Sequence, residues 1–555
     1  MTLAAPNHPP RRTPLCFWLL GAMLVLFVAL CTGQRDSLWD TDSWEHHRAI
    51  VALVRDLWHP GNPIFTLDVP SVRYSPYSVM LALICRSTGA DPYFVLGAAG
   101  VVNMALMIVA LWTLLKAFGE QRIAAAALIV MISLYGKTPG YPNTFALADL
   151  PWHALNPSTF AFDLVVFGAA LLRWMTSPRT SRWWGWGILF LLITEATLDH
   201  GMTGAFGFLL LLVIAGTRER GLRWKWALGV VVLGTVVGAA CTRWPWYDFL
   251  AALRTRRDVD YWFNAGIEKR MLLEWTAPAV LLAALGFAFW KRELVRVMLL
   301  GGAACWGLAL VSCVIKSPAL ARLPLPGMLF LDLPIALFVF ETGVLRPSTW
   351  PARLRELPGP SPTGPILQVI AAAMLLYCLV PQLIDIPTEP QLARVWVSRL
   401  LHKEDKQLHL KTHFDALLLP RADGTWRGIG PDDVVFSDPW SSWPIPSSRG
   451  KVVTAQHYEL FVDGQEQRRR DAEAFFGHAS DVQRIDLLKK YDARWILLNP
   501  GGPEKISDWA MAEISEPAAE VRRETIRGMD GKPCDMVLMD AHVWESLRDA
   551  RAAGK

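Results

Sequence analysis

Apolar residues run in blocks of membrane-crossing length along the first two thirds of the chain. About eleven such runs lie near 15–31, 92–115, 123–136, 158–175, 184–199, 201–217, 225–243, 271–290, 294–315, 324–345 and 366–386. A helix that crosses a bilayer needs about 20 such residues. After residue 386 the pattern changes to strand-length runs: Asp433–Phe436, Lys451–Thr454, Trp495–Leu498 and Asp535–Met539. Helical patterns at Asp471–Phe476 and Asp481–Tyr491 lie between them. This alternation predicts a small α/β domain. Gly424–Gly430 and Trp440–Gly450 read as turn-rich loops, and Pro347–Pro365 as a connector. The fold expected is a polytopic α-helical membrane protein with a C-terminal extracytoplasmic α/β domain. Its membrane domain is 1–386, with a long first outer loop at 34–91, and its soluble domain is 387–555.

Charge sets the sidedness. With the N-terminus inside, the cytoplasmic segments hold Arg11, Arg12, Lys116, Arg122, Arg173, Arg179, Arg182, Arg218, Arg220, Arg223, Lys225, Lys291, Arg292, Arg296, Arg346, Arg353 and Arg355. Against these stand Glu120, Glu219, Glu293 and Glu356, while the opposite loops are rich in Asp. That is the positive-inside pattern. An odd number of spans places the C-terminal domain outside, in a multi-pass protein of the cell (inner) membrane. The first apolar run lacks a small-residue cleavage site and reads as a span.

Composition agrees. Of 555 residues, 52% are hydrophobic and 19% charged, and the mean hydropathy is +0.27. A disordered or disulfide-scaffold chain is excluded, and a soluble single-domain enzyme does not fit. The net charge of +5 is small for this length and gives no reason to expect a nucleic-acid partner. Of the eight cysteines only Cys534 lies in polar sequence, so neither a disulfide framework nor a zinc motif is present.

The densest cluster of ionisable groups near a membrane face is Asp40-Thr41-Asp42-Ser43-Trp44-Glu45-His46-His47-Arg48, just after the first span. Asp42 or Ser43 is expected to cap a helix whose apolar side carries Trp44, Ile50, Val51, Val54, Leu57 and Trp58 and lies along the interface. A turn at His59–Pro63 and a second short helix from Tyr74-Ser75-Pro76-Tyr77 to Arg86 follow. Taken alone, the acidic residues serve equally well as a helix cap.

The layout and motif resemble those of the GT-C glycosyltransferases, polytopic enzymes that use lipid-phosphate-linked sugars. Asp42-Ser43-Trp44-Glu45-His46-His47-Arg48 is similar to the Asp-x-Trp-x-x-x-Arg pattern in the first loop of oligosaccharyltransferase catalytic subunits. The resemblance places the family's acidic residue at Asp42. In the protein mannosyltransferase and aminoarabinose-transferase relatives an acidic pair serves, and Asp40 and Glu45 are the candidates for the second carboxylate. The chain has no Trp-Trp-Asp-Tyr-Gly motif, and the loop at 137–157 offers only Asp149. Transfer to asparagine is therefore not expected.

The chemistry implied is attack of an acceptor hydroxyl on the anomeric carbon of a polyprenyl-phospho-sugar, with inversion. Asp42 would act as base, with Asp40 as alternative. The acceptor would be an envelope glycan, lipid or protein. His46, His47 and Arg48 line the same loop as candidate substrate contacts. Lys316 and Arg322 are candidate contacts to the leaving phosphate, although a snorkelling role at a helix end suits each, taken singly, slightly better. Glu195, Asp199 and His200, at the outer end of one span, are candidates for acceptor binding or metal ligation, or else a structural hydrogen-bond pair between helices. Asp149 and His153 are lesser candidates. Asp163 and Asp332 are expected to bond to neighbouring helices, and Arg468–Arg470 to form a solvated helix face. A divalent metal, Mg²⁺ or Mn²⁺, is a possible cofactor. The rival readings are a transporter or lipid-carrier flippase and a non-catalytic envelope-assembly protein. No nucleotide-binding loop appears.

Overall fold

The structure is a computed structural model, and it describes residues 15–32, 41–133, 145, 147, 150–176, 183–217, 223–255, 289–315, 320, 322–342, 410–421, 423–457, 459–501, 512–527 and 533–554. The chain divides into two compact units. The first comprises Met1–Thr32, Gly97–Trp244 and Asp260–Arg394; the second comprises Gly33–Leu96, Pro245–Val259 and Val395–Lys555.

The first unit is helical. Its described helices are α1 (Leu15–Thr32), α4 (Pro92–Ala117, whose first turn belongs to the second unit), α5 (Ala124–Ser133), α6 (Leu150–His153), α7 (Pro157–Met175), α8 (Trp184–Asp199), α9 (Gly201–Gly216), α10 (Arg223–Cys241), α12 (Glu293–Ile315) and α13 (Leu329–Thr342). They occupy nine of the apolar runs; the runs at 271–290 and 366–386 lie outside the described residues, apart from 289 and 290. Among the described residues, five helices are long and apolar enough to cross a membrane: α1, α4, α7, α10 and α12. Exposure supports a bilayer around them. Leu15, Leu19, Met23 and Leu26 on α1, and Leu228, Val231, Val232 and Val236 on α10, are all exposed. In water such stripes would be a liability; in lipid they are solvated.

Small residues let these helices approach. A Cβ added at Gly207 of α9 would lie 2.7 Å from a Val165 methyl of α7. Phe206 stacks on Phe162, with centroids 6.2 Å apart, and meets Phe330 edge-on at 5.3 Å, which links α7, α9 and α13. At one end of the unit Arg292 pairs with Glu120 (3.1 Å) and Glu341 (3.2 Å), and Arg122 pairs with the same two carboxylates. All four belong to the segments assigned to the cytoplasmic side or to the helix end next to it, and the pairing holds α12 and α13 to the turn after α4.

Two expectations for this unit fail. Asp163 on α7 and Asp332 on α13 are buried, yet neither carboxylate oxygen of Asp163 nor Oδ1 of Asp332 finds a hydrogen-bond partner among the described residues. At these three oxygens the interhelical hydrogen bonds expected from burial alone are not made.

The second unit is built on a five-stranded mixed sheet of order β2-β1-β3-β5-β4. Its strands are β1 (Val434–Phe436), β2 (Lys451–Val452), β3 (Ala493–Leu498), β4 (Glu520–Arg527) and β5 (Pro533–Asp540). β1 runs parallel to β2 and β3, and β5 is antiparallel to β3 and β4. The central strands are apolar over most of their length, because both faces are covered there. Val434, Phe436, Ile496, Leu498, Val537 and Met539 point to one core, with Phe475 and Trp544. Val435, Trp495, Leu497, Met536 and Leu538 point to the other. The first face is covered by α16 (Gln465–Phe476), α17 (Asp481–Lys490) and α18 (Ala541–Ala552), the second by α14 (Leu410–Leu418).

The second core also takes in Ile64 and Phe65. The Val452 amide donates to the Ile64 carbonyl at 3.1 Å. The first loop, read from sequence as part of the membrane domain, thus shares a compact unit and a core with the sheet. Its helices α2 (Thr41–Arg55) and α3 (Pro76–Thr88) pack on each other, α2 packs on α15 (Pro444–Ser448), and α11 (Phe249–Thr255) belongs to the same unit. α15 corrects the loop expected over Trp440–Gly450: Pro444 sits at the start of a helix, where its missing N–H costs nothing. β4 and α18 were not foreseen. Charged residues occupy both faces of β4, Arg523 on the solvated side and Arg522 and Glu524 on the side facing α14, which hides its alternation. Arg468 is not merely solvated either: its guanidinium lies over Phe65 (5.3 Å) and Tyr491 (5.0 Å) and donates to the Val453 carbonyl.

Candidate active site

α2 begins at Thr41, so Asp42 and Ser43 lie in its first turn rather than at its cap. Asp42 and Glu45, three apart, share one face of the helix. Ser43, Trp44, Glu45, His47, Arg48 and Ile50 are all buried, because α15 and the segments flanking it cover this helix. Trp58, expected on the same apolar side, is instead exposed and stacks on Trp246 at 5.5 Å.

The carboxylates of Asp42 and Glu45 meet a histidine that the sequence did not single out. His457 follows β2, and its Nδ1 lies 3.1 Å from Glu45 Oε1 and 3.5 Å from Asp42 Oδ1. Trp443 donates its indole N–H to Glu45 Oε1 at 2.9 Å and sets its ring edge-on to His457, with centroids 4.7 Å apart. Arg73 pairs with Glu45 through Oε2 and with Glu459 at 3.5 Å. The Ser71 hydroxyl donates to Glu459 at 2.7 Å. The result is a line in which Arg73 and His457 alternate with three carboxylates: Glu459, Arg73, Glu45, His457, Asp42. The side chains of Glu459 and Glu45 are each 2% exposed, whereas Asp42 is 28% exposed. Glu45 is engaged by Arg73 and Trp443 and faces His457; Asp42 is the carboxylate that a molecule from outside can reach.

The remaining first-loop candidates are drawn into the architecture. His46 is buried, and burial pushes its imidazole down to about 4, so it is neutral at pH 7. His47 stacks on Tyr93 at 3.5 Å and hydrogen-bonds Ser447 Oγ at 3.1 Å. Arg48 donates to the carbonyls of Pro63 (2.9 Å) and Pro431 (3.2 Å). Beside Glu45 and Arg48 lies a recess of about 10 Å³, lined also by Trp44, Ser442 and Trp443.

The other candidates belong to the first unit or lie outside the described residues. Glu195 and Asp199 sit in the last turns of α8, and His200 joins α8 to α9 with Nδ1 2.7 Å from Thr203 Oγ1. His153 ends α6 and is buried. Arg322 lies in the turn before α13. Asp40, Asp149 and Lys316 lie outside the described residues.

Among the described residues, the group of His, Cys, Asp and Glu side chains with donor atoms close enough for a metal is Asp42, Glu45 and His457, all within 4.8 Å of one another. Glu195 and Asp199 are not part of such a group, so the metal-ligating role considered for them lacks a third donor. The Nδ1–oxygen distances at the triad approach the roughly 3.0–3.4 Å between neighbouring ligand atoms at metal–ligand lengths of about 2.0–2.1 Å. One imidazole and two carboxylates suit Mn²⁺ or Zn²⁺ better than Mg²⁺. The donor set thus fits a divalent cation, with Arg73 already neutralising part of its charge.

No protein-family model matches the chain, and no curated protein matches it in sequence. Among solved structures it is similar to ArnT from Cupriavidus metallidurans bound to undecaprenyl phosphate, with 14% identity, 94% of this chain and 97% of that chain covered, and a TM-score of 0.48. It is also similar to the oligosaccharyltransferase AglB from Archaeoglobus fulgidus in complex with an inhibitory peptide and a dolichol-phosphate, with 10% identity, 94% and 74% covered, and a TM-score of 0.47. An Archaeoglobus fulgidus oligosaccharyltransferase in complex with Zn and sulfate gives 12% identity, 96% and 76% covered, and a TM-score of 0.43. These are proteins of the kind that the first-loop motif resembles. The likeness is remote in sequence and in superposition, and no residue's role is carried over from it.

Proposed function

We propose that the chain is an integral membrane glycosyltransferase that moves a sugar from a polyprenyl-phosphate donor to a hydroxyl of an envelope acceptor. The acceptor is a glycan, lipid or protein, and the reaction takes place on the outer face of the cell membrane. The observation that carries this reading is the pairing of a partly exposed Asp42 with a buried, fully engaged Glu45 on one helix face, closed by His457 from the sheet domain. The architecture proposed with it has about eleven spans, a cytoplasmic N-terminus and an extracytoplasmic sheet domain.

In the proposed step the acceptor oxygen forms a bond to the anomeric carbon. The bond from that carbon to the phosphate oxygen breaks, and its electron pair leaves with the lipid phosphate. The acceptor proton passes to Asp42. A single displacement inverts the anomeric centre. An ordinary carboxylate is ionised at neutral pH and needs no special environment to serve as base. Such proton transfer contributes roughly 10²–10⁴-fold. Glu45, held by Arg73 and Trp443, fixes the geometry of the site rather than taking the proton. Arg322 is the described candidate contact to the leaving phosphate, and Asp40, Asp149 and Lys316 remain candidates by position in the sequence. A divalent cation would be held by Asp42, Glu45 and His457, where it supplies positive charge to a developing anion.

The experiment is a panel of labelled polyprenyl-phospho-sugars, hexose and pentose, offered to membranes carrying the protein with an envelope extract as acceptor. Release of polyprenyl phosphate from one donor, with an inverted linkage in the product, is the expected result. A retained linkage would remove the single-displacement mechanism, and no release from any donor would remove the enzyme.

A second reading is favoured by one observation. Asp163 and Asp332 are buried carboxylates within helices α7 and α13, and ionisable groups at such places often mark transport pathways. A transporter would lose flux in Asp163→Asn, whereas the glycosyltransferase would keep its turnover.

A further inference from the structure

Helices α8 and α10 both begin in aromatic sequence, Trp184-Gly185-Trp186 and Arg223-Trp224-Lys225-Trp226. They meet near these starts. Trp186 stacks on Trp226 with centroids 5.6 Å apart, and a Cβ added at Gly229 would lie 2.6 Å from the Trp186 ring. The bare glycine thus lets the indole lie across α10. Beside this contact runs an open groove of about 710 Å³. Apolar side chains line it from Trp186 and Phe190 on α8 to Val236 on α10, and among the described residues its one charged lining group is Lys225. From Trp224 to Val236 an α-helix rises about 18 Å. That is close to half of a hydrocarbon core about 30 Å thick.

The groove opens among Leu228, Val232 and Val236, which are exposed on a helix of membrane-crossing length. Hydrocarbon suits such a space. Water would find few polar partners along it, and a void would forfeit contacts on one side of every lining atom. Lys225 is exposed and lies over the Trp224 ring at 5.6 Å. Trp and Lys at one level of a span mark the headgroup region. In the proposed architecture the basic segments before both helices put this end on the cytoplasmic side. That leaflet carries anionic lipids, and basic pockets between helices bind their headgroups.

We infer that this groove binds one anionic phospholipid of the cytoplasmic leaflet, with an acyl chain along α10 towards Val236 and the phosphate against Lys225. The occupant is not the sugar donor, whose phosphate stands at the outer face in the proposed function. Gly187 supplies part of the room: a Cβ added there meets nothing within 4 Å. A larger side chain at that position enters the groove without displacing a protein atom.

The test is native mass spectrometry of the full-length protein in detergent, titrated with dioleoyl phosphatidylglycerol or dioleoyl phosphatidylcholine. Gly187→Leu fills the groove, Lys225→Ala removes the cation, and Lys225→Arg keeps the charge. Wild type should bind one phosphatidylglycerol about 5-fold more tightly than phosphatidylcholine, the weight of one cation at a membrane surface. K225A should lose that preference and K225R should keep it. G187L should weaken both lipids by at least about 5-fold, because the chain loses its contacts. Equal affinity for the two lipids in wild type overturns the inference, as does a preference unchanged in K225A. Unchanged affinity for both lipids in G187L overturns it too. Tighter binding of undecaprenyl phosphate than of phosphatidylglycerol, weakened by the same variants, overturns the phospholipid as occupant. K225A alters an exposed side chain and keeps the test decisive where G187L folds poorly. Binding is read without turnover, so the result stands apart from the glycosyltransferase reading.

Discussion

The indole N–H of Trp443, in the sheet domain, donates to Glu45 Oε1, in the first loop, at 2.9 Å. This one bond ties the segment that carries the acidic motif to the segment that carries His457, because the same tryptophan meets His457 edge-on. Trp443→Phe keeps the ring contact and removes the bond. The expected cost is about 1–3 kcal/mol, since a buried carboxylate loses a donor. Chemical denaturation of the purified protein checks this, and an unchanged midpoint would show that the bond carries no stability.

Asp42→Asn and Glu45→Gln should separate chemistry from architecture. D42N alters a partly exposed group and should leave the melting temperature within a few degrees. E45Q leaves Arg73 beside a neutral amide in a buried site, which costs about 3–5 kcal/mol. Thermal melts of both variants give the comparison; a D42N protein less stable than E45Q would reverse the assignment.

Lys451 supplies a pH dependence. Its ammonium is buried, donates to the Asn62 carbonyl and lies near Arg48, and burial first, then Arg48, push it down to about 7. The unfolded chain holds this proton up to about 10.4. Between these values the unfolded state binds more protons than the folded state. Stability contributed by this group therefore rises with pH from about 7 towards 10, by up to about 1.4 kcal/mol per pH unit. Lys451→Met should flatten the rise between pH 7 and 9, as read from melting temperature against pH. An identical slope in K451M would show that Lys451 keeps an ordinary pKa.

Phe436 is fully buried in β1, with its ring 4.3 Å from Phe475. Phe436→Ala should cost about 3–5 kcal/mol and loosen the whole second unit, the first loop included. Protease sensitivity near 56–60, compared with wild type, reads this directly. Cleavage confined to the sheet domain would show that the loop is stabilised elsewhere.

The membrane helices were legible because their signal is local: an unbroken apolar run is enough to predict a helix. The strands β1, β3 and β5 were legible for the same reason, being buried on both faces. β4 was missed because charged residues occupy both of its sides. At the candidate site, Asp42 and Glu45 stood out by their density of charge beside a span. His457, Arg73 and Glu459 did not, since each is a single polar residue in ordinary loop sequence and acquires meaning only when the loop 61–73 folds into the sheet domain. The cluster Trp440-Ser441-Ser442-Trp443 was the one available hint, and it read as a turn. Long-range pairing of this kind leaves no periodicity to detect.

The most direct test of the central claim is release of polyprenyl phosphate by wild-type and Asp42→Asn proteins, matched for folded amount, with the best donor of the panel. The account predicts release by wild type and a fall of about 10²–10⁴-fold in D42N. Equal release by the two would contradict it, leaving the enzyme but removing Asp42 as its base.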